Sequence, residues 1–164
     1  SEIVDRMTVV CIGGNPIGCE KPGWEFNFGN DVEAANTVLH CGGDIWLIPN
    51  NVYGTMHIGF GEIQRRIAPY GEIGRLLYEN LISFYETENA SWSAGESWSL
   101  GDSPAVGVTL EPNCGSFMYC KAPEVQEDTS YRYPENSPQI RVYTSINSRF
   151  IIEDFISKLQ ILYG

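Results

Sequence analysis

The segment RMTVVCIGG, residues 6–14, decides the fold class of this chain. Its apolar side chains follow one another almost without interruption and lead directly into a pair of glycines. A continuous apolar run is typical of a parallel strand that is covered on both faces, and the glycines indicate a tight turn at its end. We therefore expect residues 6–14 to form an interior strand of an α/β domain.

The residues after this strand alternate between helical and strand patterns. Asn30 is predicted to cap a helix, because Glu33 follows three residues later as in a capping box, and Gly42 lies just past the last helical turn. The segment DIWLIP at 44–49 is the next apolar strand. The order strand, loop, helix, strand is typical of a parallel βαβ unit.

The rest of the chain continues this α/β pattern. A polar loop containing Trp92 and Trp98 separates two of the later helices. The predicted later elements are a helix at 72–86, a short helix at 103–112 with Ser103 as N-cap, late strands at 116–126 and 139–147, and a C-terminal helix at 148–164. The predicted fold is one α/β domain over residues 1–164, built on a mostly parallel sheet with covering helices.

Composition narrows the possible partners. Lys and Arg number 10 against 21 for Asp and Glu, so the net charge of −11 argues against a nucleic-acid footprint, which needs clustered cations. No segment approaches the roughly 18 apolar residues of a membrane span. The five cysteines are odd in number and show no CxxC spacing, which argues against a zinc site or a disulfide framework. We expect a reduced, cytoplasmic compartment.

Two polar residues stand inside an aromatic segment just before the first helix. Glu25 and Asn27 are two residues apart and alternate with Trp24, Phe26 and Phe28. In an extended backbone the polar pair would face one side and the aromatic residues the other. The aromatic residues would then anchor the segment to a core, and the polar pair would face solvent or a binding site.

Other candidate sites are weaker by pattern alone. The segment IGGNPIG at 12–18 lacks the GxGxxG spacing of a dinucleotide loop, so a simple glycine turn is the better interpretation. Asp102 precedes an apolar helix, where an ionised carboxylate suits either an ordinary cap or a hard cation such as calcium. Trp92 and Trp98 either cover the edge of a core or stack on a flat ligand.

Together these blocks resemble the second half of the nucleoside hydrolase family, from Met7 to the C-terminal helix. The matching pieces are the strand ending in IGG, the EFN…DVEAA block at 25–35 and the GDSPAV block at 101–106. The resemblance implies a Rossmann-like fold and hydrolysis of the N-glycosidic bond of ribonucleosides through an oxocarbenium-like transition state. In the family an Asp base activates a metal-bound water for this reaction.

The resemblance also implies roles for individual residues. Glu25 and Asn27 would bind ribose hydroxyls, and Asp102 would ligate calcium and contact the sugar. Asn15 is the nearest candidate for an asparagine that the family carries upstream of the acid, although its spacing differs. Gly101 stands where many members carry a histidine that helps the base to leave, and Trp98 or Trp92 would stack on the base instead.

One family motif has no counterpart in this sequence. The Asp-rich motif, roughly D-x-D-x-x-x-D-D, supplies the general base and most metal ligands in the family, whereas the aspartates here are scattered. We therefore expect a C-terminal half with a partial calcium site, no catalytic residue of its own and no activity alone. A companion N-terminal half, or self-association, would cover its open sheet. The alternative is a non-catalytic sugar- or partner-binding module that kept the fold and lost the metal centre.

Overall fold

The computed structural model describes residues 3–93 and 95–164, which divide into two compact units. The first unit comprises Ser1–Tyr53 and Asp102–Ile146, and the second comprises Gly54–Gly101 and Asn147–Gly164. The strands are β1 (Thr8–Ile12), β2 (Asp44–Ile48), β3 (His57–Gly59), β4 (Ser97–Ser99), β5 (Gly115–Lys121), β6 (Glu124–Val125), β7 (Tyr131–Arg132) and β8 (Gln139–Ile146). The helices are α1 (Phe26–Gly29), α2 (Val32–Leu39), α3 (Asn50–Tyr53), α4 (Phe60–Arg66), α5 (Gly71–Tyr85), α6 (Ser103–Leu110) and α7 (Ser148–Tyr163).

The first unit is built on a four-stranded sheet in the order β1-β2-β8-β5. The pairs β1–β2 and β2–β8 are parallel, whereas β5 runs antiparallel to β8. Trp46 of β2 lies opposite Val10 of β1 on one side and Arg141 of β8 on the other. The prediction of a mostly parallel α/β sheet is confirmed.

Strand β1 differs from its prediction in one respect. It occupies one end of the sheet order, and within the described residues β2 is its only pairing partner. Thr8 is exposed and residues 9–12 are only half-buried. The expected cover on both faces is therefore not met by the described residues, whereas the unpaired outer edge of β1 is the open edge expected in the absence of an N-terminal half.

The core of the first unit lies between the sheet and helix α2. Its packing follows the alternation of strand side chains, since residues 45 and 47 of β2 point to the same face. The buried members of this core are Phe28, Ala35, Leu39, Ile45, Leu47, Ala122, Val125, Ile140 and Val142. Helix α2 is therefore stabilised by packing its apolar stripe on the sheet, and not by helix propensity alone.

Two local predictions around α1 and α2 are wrong. Residues 26–29 form a helical turn instead of an extended segment, so the aromatic residues do not share a face. Phe28 is buried, but Trp24 is 63% exposed and Phe26 is 70% exposed. Helix α2 is capped by Asp31, whose Oδ1 accepts from the Ala34 backbone N–H at 2.8 Å, and not by Asn30.

Helix α6 begins with a different residue at its N-cap from the one expected. Asp102 occupies the N-cap position in place of Ser103, and the Asp102 side chain forms no capping hydrogen bond. Pro104 lies within the first turn, where its missing N–H costs nothing. The short helix itself is confirmed at Ser103–Leu110, but it is buried only at Pro104, Gly107 and Val108, so the expected burial of the whole helix is not met.

The second unit contains the two long helices that the sequence predicts, α5 and α7. Asn147 caps α7, because its Oδ1 accepts from the Phe150 backbone N–H at 3.0 Å. Arg66 of α4 binds Glu153 of α7 through two hydrogen bonds of 2.7 Å each. Strands β3 and β4 form an antiparallel pair. Within residues 3–93 and 95–164, no helix combines the length and apolarity needed to cross a membrane.

Candidate functional site

Glu25 lies at the centre of a buried hydrogen-bond cluster in the first unit. Its side chain is 2% exposed, and its carboxylate accepts five hydrogen bonds. Oε2 accepts from the backbone N–H groups of Gly14 at 2.7 Å and Phe28 at 2.9 Å. Oε1 accepts from the backbone N–H and the Nδ2 of Asn27, at 3.1 and 3.0 Å, and from the Tyr53 hydroxyl at 2.7 Å.

This cluster keeps the Glu25 carboxylate ionised. Burial by itself raises the pKa of Glu25, but the hydrogen bonds from Phe28, Tyr53, Gly14 and Asn27 outweigh burial, and the pKa lies below its usual value. Several N–H groups that point at one carboxylate stabilise the charged form directly. The site therefore contains a fixed negative charge.

Gly14 supplies one of these donors because its backbone adopts a conformation that other residues avoid. Its φ is +76°, in the left-handed region that favours glycine. A Cβ at this position would also overlap the Tyr131 hydroxyl and come within 2.6 Å of the Phe28 ring. The glycine turn after β1 thus aims a backbone N–H at Glu25, which is the role that the structure gives to the IGG segment.

Asn27 has one polar atom left for a ligand. Its Nδ2 donates to Glu25 Oε1 at 3.0 Å and to the Tyr53 hydroxyl at 3.3 Å, which uses both amide hydrogens. Its side chain is half-buried, and no donor among the described residues contacts its Oδ1. Asn27 therefore offers a hydrogen-bond acceptor beside a fixed carboxylate.

Asn15 is part of the same region, but its polar atoms are already bonded. It is 2% exposed, and its Nδ2 donates to the carbonyl oxygens of Gly23 at 2.9 Å and Thr129 at 3.0 Å. Its Oδ1 accepts from Asn50 Nδ2 at 3.3 Å. In this arrangement Asn15 connects the glycine turn to two other loops and presents no free group to a ligand.

Thr129 completes the support behind Glu25. Its Oγ1 accepts from the Glu25 backbone N–H at 2.9 Å and donates to the Gly23 carbonyl at 3.1 Å. Thr129 is fully buried and has a φ of 63°, the one positive φ outside glycine in the described part of the chain. A β-branched residue in this region is strained by about 1–3 kcal/mol, and such strain persists where surrounding contacts impose it.

Asp102 lies in contrasting surroundings within the same unit. It is exposed, and no hydrogen bond to its side chain is present among the described residues. Burial and Glu25 raise the pKa of the Tyr53 phenol well above its usual range, and the Asp102 charge adds to this effect. Asp102 is therefore within electrostatic range of the Glu25, Asn27 and Tyr53 cluster.

The described residues of this chain do not by themselves form a calcium site. Within residues 3–93 and 95–164, no group of three or more His, Cys, Asp or Glu side chains could hold a metal ion. Calcium takes about six to eight oxygen ligands, and Asp102 supplies a single unbonded carboxylate. Any metal at this position needs most of its ligands from elsewhere.

Trp98, the aromatic residue predicted to stack on a base, belongs to the second unit. It lies on the short strand β4 and is half-buried rather than free in a loop. Its ring contacts Phe84 at a centroid distance of 5.7 Å and Trp92 at 5.1 Å. These contacts describe a packed aromatic cluster, which is the simpler of the two interpretations given by the sequence.

Two clefts lie along strand β1, on opposite faces of the sheet. Successive strand residues point to opposite faces, and Cys11 lines one cleft while Val10 lines the other. The first cleft, about 220 Å³, is lined by Cys11, Asn27, Phe28, Asp31, Ala34, Ala35, Val38 and Leu39. The second, about 320 Å³, is lined by Val10, Ala105, Val106, Thr109 and Leu110. Both clefts are mainly apolar.

Tyr53 and Thr129 are site residues that the sequence patterns did not indicate. Tyr53 follows β2 at the carboxyl end of a parallel strand, which is where ligands bind in open α/β sheets. That rule could have selected the segment NNVY after the predicted strand. Thr129 gives no such signal, because its contacts join residues more than 100 positions apart in sequence.

Comparisons with known proteins agree with this architecture. A family model described as inosine-uridine preferring nucleoside hydrolase matches residues 1–152. A solved plant nucleoside hydrolase has a similar fold, with a TM-score of 0.74 and 16% identity, over 89% of this chain and 51% of that chain. A purine-preferring ribonucleoside hydrolase from Gardnerella vaginalis gives a TM-score of 0.70 and 16% identity, over 92% and 51%. The chain spans about half the length of these solved structures. No curated protein sequence matches it.

Proposed function

The chain belongs to the inosine-uridine preferring nucleoside hydrolase family, and we propose that it is the C-terminal half of an N-glycosidase acting on ribonucleosides. The observation that carries this proposal is the Glu25 cluster. A buried, ionised carboxylate holds Asn27 so that one acceptor oxygen stays free, in the segment that carries the family resemblance. Such an acceptor suits a sugar hydroxyl, which is a hydrogen-bond donor.

Asn27 and Glu25 contribute to sugar binding in different ways under this proposal. Asn27 Oδ1 accepts directly from a ribose hydroxyl. Glu25 already accepts five hydrogen bonds, so a direct sugar contact requires a hydroxyl to replace one of its present donors. Binding at these remote hydroxyls positions the sugar for attack at the anomeric carbon.

Asp102 is proposed as one ligand of a calcium ion whose other ligands lie outside this chain. Its exposed carboxylate has no partner among the described residues, and hard oxygen ligands are those that calcium prefers. The general base is expected in the Asp-rich motif, which this sequence does not contain. A stacking role for Trp98 and a cytoplasmic location stay predictions.

An N-terminal half is the proposed partner of strand β1, either on the same polypeptide or on a separate one. The outer edge of β1 carries no described partner, and apolar clefts follow this strand on both faces. A further parallel strand with flanking helices fits this pattern, because it would pair the edge and fill both clefts. The solved relatives are about twice as long as this chain, which agrees with such a half.

Light scattering of the purified chain at micromolar concentration tests this partner. Without its partner half, the chain should self-associate through the open edge or bind a hydrophobic dye. A monomer that unfolds cooperatively and binds no hydrophobic dye would contradict the need for either a companion half or a second copy. A homo-oligomer that scatters as a defined dimer would favour the second copy.

A non-catalytic sugar-binding module is the alternative function. Gly101 in place of the family's histidine and the incomplete metal ligands of this chain favour it. The two functions differ in one measurement on the complete protein, by which we mean this chain together with the proposed N-terminal half. The measurement is release of free base from inosine or uridine. Base release supports the N-glycosidase, whereas saturable ribose binding without base release supports the module.

Variants of the complete protein test the site itself. Asn27→Ala removes the acceptor and should lower kcat/KM by about tenfold, while Glu25→Ala should lower it by about 10- to 150-fold, the equivalent of roughly 1.5–3 kcal/mol. Asn80→Ala is the matched control, because Asn80 is exposed on α5. Unchanged turnover in Glu25→Ala would rule out this assignment of the sugar site.

A further inference from the structure

Tyr53 is a member of the Glu25 cluster that neither the family resemblance nor the sequence patterns select. It ends helix α3, directly after β2, and its backbone N–H donates to the Pro49 carbonyl at 3.0 Å. The neighbouring Val52 is 1% exposed, and the Asn50 N–H donates to the Gly14 carbonyl at 2.9 Å. The backbone that carries the phenol is therefore fixed by the core and by the glycine turn.

The phenol closes a triangle of hydrogen bonds. The Tyr53 hydroxyl donates to Glu25 Oε1 at 2.7 Å, and it accepts from Asn27 Nδ2 at 3.3 Å. Asn27 Nδ2 also donates to the same Oε1 at 3.0 Å. Each of the three side chains therefore contacts the other two.

This triangle determines which way the Asn27 carboxamide points. A rotated amide would direct its oxygen at the Glu25 carboxylate and the Tyr53 oxygen, which now accept the two Nδ2 hydrogens of Asn27. The repulsion between the amide oxygen and the ionised carboxylate excludes that rotamer. With Tyr53 in place, both amide hydrogens have acceptors and Oδ1 is left for a ligand.

We propose that Tyr53 is a positioning residue of the sugar site, which holds the Asn27 carboxamide so that Oδ1 accepts from one particular ribose hydroxyl. The proposal deepens the proposed function and rests on it for the identity of the ligand. Its structural part, the fixed carboxamide, stands on the hydrogen bonds alone. Removing the Tyr53 hydroxyl leaves one Nδ2 hydrogen of Asn27 without an acceptor, and the carboxamide is then less restricted in its rotation.

The structural part is tested by hydrogen exchange of the Asn27 side-chain amide, followed by NMR in the complete protein. In the parent chain both Nδ2 hydrogens should exchange slowly and resonate apart. In Tyr53→Phe, the hydrogen that faced the phenol should exchange at least about fivefold faster. Tyr78→Phe is the matched control, because Tyr78 is a half-buried tyrosine of α5 with no hydrogen bond among the described residues. Equal exchange in parent and Tyr53→Phe overturns the proposal.

The functional part is tested in the complete protein with uridine and its 2′-, 3′- and 5′-deoxy analogues. In the parent protein, kcat/KM should be at least about fivefold lower for the analogue that lacks the hydroxyl bound by Asn27 than for uridine. This ratio is the penalty for that analogue. Tyr53→Phe should reduce that one penalty and leave the other two unchanged, and Asn27→Ala should abolish it. Adding Tyr53→Phe to Asn27→Ala should then have no further effect on it.

The two tests separate the failure of this proposal from the failure of the proposed function. If the complete protein hydrolyses no nucleoside, the proposed function fails, and the amide exchange still decides whether Tyr53 holds Asn27. If nucleosides are hydrolysed and Tyr53→Phe lowers kcat/KM equally for uridine and all three analogues, Tyr53 acts only on overall stability or turnover. That result overturns the positioning role.

Discussion

Glu25 and Asp102 are two carboxylates of the same unit with opposite surroundings. Glu25 is buried and accepts five hydrogen bonds from its own chain, whereas Asp102 is exposed and its side chain has no such partner among the described residues. A carboxylate that is fully bonded stabilises the fold and orients its neighbours. A carboxylate with free oxygens is available to an external ligand. Glu25 therefore belongs to the part of the proposed site that anchors the fold, and Asp102 belongs to the part that is available to an external ligand.

The strongest test of this comparison removes the Glu25 carboxylate. Glu25→Ala leaves the Gly14 and Phe28 backbone N–H groups buried without acceptors, and each such group costs about 1–3 kcal/mol. We expect the free energy of unfolding, measured by urea denaturation, to fall by about 3 kcal/mol or more. Glu33→Ala, at an exposed position of α2, is the control and should change it by less than about 0.5 kcal/mol. Equal losses in the two variants would show that Glu25 does not anchor the segment.

Removing the Thr129 hydroxyl should have a smaller effect on the same anchor. Thr129→Val keeps the shape of the side chain but removes the oxygen that accepts from the Glu25 backbone N–H. We expect a loss of about 1–3 kcal/mol in the free energy of unfolding. Thr129→Ser retains the hydroxyl and should cost less than Thr129→Val. The reverse order would mean that methyl packing, and not the hydrogen bond, supports Glu25.

Acid should weaken the anchor in a way that depends on Glu25. The folded-state pKa of Glu25 lies below its usual value of 4.5, so the stability it contributes is present above that value. This stability is lost as the pH falls through the lower folded-state pKa. Denaturation between about pH 5 and pH 2 should show a shallower loss for Glu25→Gln than for the parent. Parallel pH profiles for the two proteins would show that other carboxylates account for the acid sensitivity.

The smallest expected effect belongs to Asp102. Asp102→Asn should change the free energy of unfolding by less than about 0.5 kcal/mol, because its side chain makes no capping hydrogen bond. Calorimetric titration of the 164-residue chain with calcium should show weak binding or none, since too few oxygens converge. In the complete protein the same substitution should weaken calcium binding by at least about tenfold. Tight one-to-one binding by this chain alone would contradict the proposed division of the metal site.

The sequence by itself determined the α/β architecture. The apolar runs of β1 and β2, the helix between them and the long helices α5 and α7 all have the expected type, because hydrophobic periodicity directly reflects which face is buried. The family also followed from sequence, since EFN…DVEAA and GDSPAV are local blocks. The sequence also marked Glu25 as an unusual carboxylate within an aromatic segment.

Only the tertiary structure decided what Glu25 does. The extended backbone expected at 26–29 is a helical turn, because the Glu25 carboxylate caps it through the Asn27 and Phe28 N–H groups. The other partners come from Gly14, Tyr53 and Thr129, up to 104 residues away along the chain. Periodicity reports burial along one element, whereas a hydrogen bond between loops depends on how the elements pack. For that reason the sequence indicated a polar site, and the packing of distant loops determined which of its atoms are free to bind a ligand.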